Sequence, residues 1–246
     1  MSPTQACLDD LRSRIRLLER ATRRPGGILP FGVAAVDAHL PEGGLALGTL
    51  HDIAGSGADE VHAAAATLFT AGLLARMAGP ALWASTAPDL FAPGLACAGL
   101  PPDRVIYASA PDETSVLLVM EEALRHAGLC AVVGEVAKLP MTASRRLVLA
   151  AEKSGVMACI LRRRREGKPA DASLNAAATR WRITPLPSSP LPTPGIGRAR
   201  WRVELTRCRG GEPASWIMEA CDAQGRLSLP ADMADRPAAK TGRHAA

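Results

Sequence analysis

Apolar residues recur at three- and four-residue steps across residues 8–20, at Leu8, Leu11, Ile15 and Leu18. Arg12, Arg14, Arg16 and Arg20 take the positions between them. That spacing predicts an amphipathic helix with one apolar stripe. The segment RRPGG (residues 23–27) then breaks the chain. A lone helix on a short linker cannot bury its own stripe. These four residues are therefore assigned to an association helix that docks on the core or on another molecule.

From residue 48 the pattern changes to short apolar runs alternating with helical periods. GTLHDIAGSG (48–57) predicts a strand entering a Gly-rich turn, followed by an Ala-rich helix over residues 59–77. ALWAS (81–85) and RVIYAS (104–109) predict two more strands. Asp112 is placed to cap a helix with Val116, Leu117, Met120, Ala123 and Leu124 on its buried face, ended by Gly128. The continuous apolar run 129–133 predicts a fully buried strand. A helix over 142–154, stopped by Gly155, and a strand over 156–161 complete the series. Strands alternating with helices predict an α/β fold with a mostly parallel, twisted sheet.

Beyond Arg165 the residues become small and polar, and 184–197 (TPLPSSPLPTPGIG) reads as an irregular proline-rich loop. Residues 199–220 read as two strands around Gly210 and Gly211, a C-terminal β-hairpin. The expected organisation is an N-terminal helix and linker (1–24), a core domain (25–230) and a disordered tail (231–246).

Composition narrows the class. The 246 residues suffice for one domain with a sizeable core, and 48% are hydrophobic. No apolar run reaches the length of a membrane span, and charges interrupt the N-terminal segment, so neither a span nor a secretory signal is expected; the expected location is the cytoplasm. The six cysteines, Cys7, Cys97, Cys130, Cys159, Cys208 and Cys221, form no CxxC pair and read as reduced thiols. The histidines show no metal-ligand spacing, so no metal is expected. The net charge of +5 is unevenly placed. Residues 1–160 carry 13 basic and 16 acidic side chains; residues 161–246 carry 16 basic and 8 acidic ones. The last third should thus present a basic surface to DNA or to an acidic partner.

The stretch FGVAAVDAHLPEGGLALGTLHDIAGSG resembles the entry to the RecA-type recombinase core, with Gly32, Asp37, Gly43, Gly44, Leu45 and Gly48 matching its pattern. The likeness runs from Gly27 to Arg165 and more weakly to Glu219. It implies a RecA-like phosphate-loop core. Within that superfamily the chain is most similar to the ImuA family, RecA-related accessory proteins of bacterial damage-induced mutagenesis. The likeness rests on the N-terminal Leu/Arg helix, LPEGGL, MEEALR, and ILRRRR followed by WRI. It implies partnership with ImuB and an error-prone C-family DNA polymerase in translesion synthesis. RecA itself or a second copy is an expected partner of the N-terminal helix.

A working phosphate loop needs G-x-x-x-x-G-K-[ST]: glycines to expose backbone N–H groups, Lys for the outer phosphates, a hydroxyl for Mg²⁺. Counting from Gly55, Glu60 stands at the second glycine, Val61 at the lysine and His62 at the hydroxyl. Gly55, Ser56, Gly57, Glu60, Val61 and His62 therefore form a degenerate nucleotide loop. The acid that orients water in RecA-type enzymes has no counterpart in WASTAP (83–88), and Glu135 stands where a metal-associated acid is implied. The expectation is a protein without a cofactor and without ATP hydrolysis. The arginines Arg162, Arg163, Arg164 and Arg165 fall at the carboxyl end of a strand, where α/β sheets place their ligand contacts. With Lys168 and Arg180 they are assigned to DNA or partner binding, with single-stranded DNA an expected ligand. The function so read is a non-catalytic RecA-like adaptor in error-prone synthesis. The alternatives are a weak DNA-stimulated ATPase or a cell-division inhibitor of the SulA type.

Overall fold

A computed structural model describes residues 27–57, 59–163, 174–188, 195 and 197–230, without the side chains of Glu60 and Val61. The association helix (Leu8, Leu11, Ile15, Leu18), Arg164, Arg165, Lys168 and the tail 231–246 lie outside these residues.

The chain enters through a two-residue strand β1 (Ile28–Leu29), a short helix α1 (Ala34–Asp37) and β2 (Leu45–Ala46), which pairs antiparallel with β1. The motif residues have physical reasons. The Asp37 carboxylate accepts from the backbone N–H of Phe31 (2.7 Å) and of Gly32 (3.0 Å), closing a turn in which Gly32 takes φ 75°. A Cβ on Gly44 would come within 2.7 Å of the Leu29 carbonyl oxygen, so only glycine lets the two short strands approach.

The main sheet follows: β3 (Leu50–Gly55), β4 (Ala81–Ser85), β5 (Val105–Ser109), β6 (Ala131–Val136), β7 (Met157–Arg162), β8 (Thr179–Leu186), β9 (Arg200–Cys208) and β10 (Ala214–Glu219). Their spatial order is β10-β9-β8-β3-β7-β6-β4-β5. All pairs from β8 to β5 are parallel; β8–β9 and β9–β10 are antiparallel. Between strands run α2 (Asp59–Ala75), α3 (Ala92–Cys97), α4 (Glu113–Ala123) and α5 (Met141–Ser154). The fold is the mostly parallel α/β sheet expected from the alternation.

Two apolar layers sandwich the sheet. On one face, Ile53, Val133, Cys159, Leu161, Trp181 and Val203 pack under α2 and α3 through Phe69, Leu73 and Leu95. On the other, Val132, Ala158 and Ile160 meet Val116 and Met120 of α4 and Leu147 of α5. Each fully buried large side chain contributes roughly 1.5–3 kcal/mol. Five of the eight aromatic residues, Phe31, Phe69, Trp181, Trp201 and Trp216, link through ring contacts of 5.3–6.4 Å. They tie the entry segment and α2 to the antiparallel ribbon β8–β10.

Three local expectations change. The helix capped by Asp112, whose carboxylate accepts from Ser115 N–H (2.8 Å), ends at Ala123 rather than running on to Gly128. Helices α1 and α3 emerge from segments with no clear helical period. Strand β8 runs to Leu186, into the proline-rich stretch read as a loop. Pro185 is tolerated there because Ile183 offers its carbonyl to Ser56 on the β3 side. Two residues on, Pro185 directs its N–H-less nitrogen to the same side, where β3 has already ended.

Candidate functional site

The Gly-rich loop lies between the carboxyl end of β3 and the first turn of α2. Its groups are spent on the protein itself. The Ser56 N–H donates to the Ile183 carbonyl of β8 (3.0 Å), and Ser56 Oγ shares a hydrogen bond with His62 Nδ1 (2.9 Å). The His62 ring folds back over the turn: a Cβ on Gly57 would overlap it, and one on Gly55 would lie 2.8 Å from His62 Cβ. Gly55 and Gly57 thus leave room for the imidazole of His62. Val61 and Glu60 belong to α2, at the positions a lysine and glycine would need.

The acid at the end of β6 is also engaged. Glu135 is 5% exposed; it accepts from Trp83 Nε1 through Oε1 (2.7 Å) and from Arg163 Nε through Oε2 (2.7 Å). Arg163 also donates to Asp89 Oδ1 (3.1 Å). Burial pushes the Arg163 guanidinium down, but Glu135, Asp89 and Asp59 reverse this and raise it, locking the cation in place. Each Glu135 oxygen thus accepts from a fixed side-chain donor. Among the described residues no group of His, Cys, Asp or Glu is arranged to hold a metal ion.

A third cluster was not anticipated. Asp52, in mid-β3 and 2% exposed, accepts from Asn175 Nδ2 (2.7 Å) and Arg180 Nε (3.0 Å), and its Oδ1 lies 3.9 Å from Arg162 Nε. Arg162 is therefore not an open edge residue; it is 7% exposed and turned inward against Asp52. The reason is the pleat: Ala158, Ile160 and Arg162 share the face under α5, whereas the edge argument placed all four consecutive arginines outward. Of the residues assigned to DNA or partner binding, Arg162 and Arg180 meet at Asp52, while Arg163 joins Glu135. The signal for Asp52 lay in LHDIAG: a lone acid inside an apolar central strand requires a buried cation.

At the opposite end of β3, His51 is buried, with Nδ1 2.7 Å from Thr179 Oγ1 and Nε2 2.9 Å from the Ala46 carbonyl. Thr179 Oγ1 also accepts from Trp181 Nε1 (2.8 Å), and because the Ala46 carbonyl can only accept, His51 Nε2 donates to it. This is a structural histidine. Cys97, Cys130, Cys159, Cys208 and Cys221 are free thiols, and burial pushes Cys159 and Cys221 up to about 12, far from the reactive thiolate. Among the described residues no helix is long and apolar enough to cross a membrane.

Comparison with known proteins agrees with this architecture. The crystal structure of the RadB recombinase superposes with a TM-score of 0.56 over 82% of this chain and 99% of its own, at 17% identity, which establishes the shared RecA-like fold. No family model matches the chain. Protein ImuA from two strains of Caulobacter vibrioides, NA1000 / CB15N and ATCC 19089 / CIP 103742 / CB 15, is 44% identical over 216 residues, covering 84% of this chain and 88% of each relative. At that identity over nearly the whole length, on a RecA-like core, the chain belongs to the ImuA family.

Proposed function

We propose that the protein is a catalytically silent RecA-like adaptor in damage-induced mutagenesis, acting with ImuB and an error-prone C-family DNA polymerase during translesion synthesis. The observation that carries this reading is the occupied sheet edge. His62 fills the turn, Ser56 N–H serves β8, and Arg163 holds Glu135. Phosphoryl transfer depends on donors and a metal aimed at the transferring group, and each position that would supply them is occupied or substituted. What the fold retains is a rigid platform for other molecules. The amphipathic stripe Leu8, Leu11, Ile15 and Leu18 is the proposed association element, and no cofactor is required.

The test is capture of tagged full-length protein from cells after DNA damage. Co-purification of ImuB and the polymerase is expected, as is weaker capture by a chain in which Leu11 and Ile15 are changed to Asp. Recovery of neither partner, with both expressed, would sink the adaptor reading.

A further inference from the structure

The antiparallel ribbon has two unlike faces. Trp181, Ile183, Trp201, Val203, Leu205 and Met218 point into the core. The alternate positions point away from it, and five of those on β8 and β9 are arginine. Arg182 and Arg202 are exposed; Arg180, Arg200 and Arg207 are half-buried.

Pairing brings these arginines together. Arg180 lies opposite Arg207, Arg182 opposite Glu204, Thr184 opposite Arg202 and Leu186 opposite Arg200. Arg182 and Arg202 are diagonal neighbours, about 7–8 Å apart at Cα. Arg200 and Arg202 are about 6.8 Å apart along one strand.

Arg180 is paired with Asp52 (3.0 Å), but little of the remaining charge is neutralised. Arg200 donates to the Pro187 carbonyl (2.8 Å), Arg207 to that of Asn175 (2.7 Å), and the neighbouring Arg209 to that of Ala176 (3.0 Å). A carbonyl satisfies a donor but cancels no charge. Glu204 stands 3.7 Å from Arg182, and Glu219, the register partner of Arg200 on β10, pairs with Arg198 (3.1 Å). The crowding is felt: burial and then the cations Arg180 and Arg209 hold the Arg207 guanidinium below its ordinary value.

The chemistry selects the occupant. A protein interface of useful strength needs apolar or aromatic anchors at its centre. Here the ribbon's tryptophans all serve the core, and Ile217 is the one large apolar residue exposed on β8–β10 among the described residues. Single strands are gripped by stacking bases on aromatic rings, and among the described residues none is exposed on β8–β10. What remains on β8 and β9, beside Glu204 and Leu186, is arginine with Thr184 and Thr206, side chains that contact phosphate without reading bases. Duplex DNA offers the densest row of phosphates.

We infer that the outward face of β8 and β9, through Arg182, Arg200, Arg202 and Arg207, binds the backbone of double-stranded DNA without sequence preference. The inference does not depend on the adaptor reading: a chain that captures its polymerase partners but ignores duplex DNA sinks this inference alone.

The experiment is fluorescence anisotropy of a short labelled duplex, and of the matching single strand, titrated with the full chain over a salt series. Duplex binding should be the tighter. The double variant R182Q/R202Q should weaken it on the order of tenfold and reduce the log–log salt slope by about 1.8, two phosphate contacts at about 0.9 each. E204Q, which removes the carboxylate between the arginines, should tighten it. Equal far-UV circular dichroism and urea midpoints of the variants ensure that binding is being read. Absence of duplex binding, preference for the single strand, or an unchanged slope in R182Q/R202Q overturns the inference.

Discussion

The parallel half of the sheet and the antiparallel ribbon use the same residue, arginine, to opposite ends. In the parallel half, Arg162 and Arg163 turn inward and meet Asp52 and Glu135. In the ribbon, Arg182 and Arg202 turn outward, and the partners they do have are weak or absent among the described residues. The cause is what covers each face. In the parallel half α4 and α5 cover one face of the sheet and α2 and α3 the other, so a charge buried on either face must be paired. The ribbon is packed on one side only, so alternate positions tolerate unpaired charge. One RecA-like sheet thus holds paired arginines in its parallel half and exposed ones on its ribbon.

Substitutions test that contrast, and the largest effect belongs to Asp52. Asp52→Ala leaves Arg162 facing a buried gap and should cost about 3–5 kcal/mol, read as a lowered urea midpoint. An unchanged midpoint would mean the buried half is not held by this pairing. Glu135→Ala strips partners from Trp83 and Arg163 and should cost about 2 kcal/mol. It should not create nucleotide binding, since His62 still fills the turn. A smaller shift is expected for Asp112→Ala, which uncaps α4. The Ser115 N–H holds the Asp112 carboxyl below its ordinary value of 3.8. A depressed folded-state value means the stabilisation is present above 3.8 and fades as pH falls below it. The midpoint difference between wild type and Asp112→Ala should therefore vanish in strong acid. The smallest effect is Arg202→Gln, expected within about 0.5 kcal/mol of wild type because the side chain stands in water. A large loss there would erase the distinction between the two regions.

The fold was legible where local pattern and burial coincide. The apolar runs of β3, β4, β6 and β7, the Asp112 cap and the Gly155 stop could be read because each is decided by neighbours in sequence. Helices α1 and α3 could not: they are four and six residues long and exist through contacts with distant elements. Pro185 hid the end of β8, since its acceptability depends on where β3 stops. At the candidate site, the missing lysine and hydroxyl were visible at Val61 and His62. The imidazole filling the turn and the Arg163–Glu135 pair were not, because they join residues 6 and 28 positions apart. The run of four arginines drew attention to the strand end. The alternation in TRWRI and RWRVE, with Trp181, Ile183, Trp201 and Val203 between arginines, was a period-two signal for an outward basic face.

A catalytically silent protein requires a nucleotide edge that is closed. Steady-state release of phosphate from Mg²⁺-ATP by the full-length protein, with and without single-stranded DNA, measures this directly. The account predicts no hydrolysis above the no-protein background in either condition. Turnover that is stimulated by DNA and abolished by Glu135→Gln would contradict it.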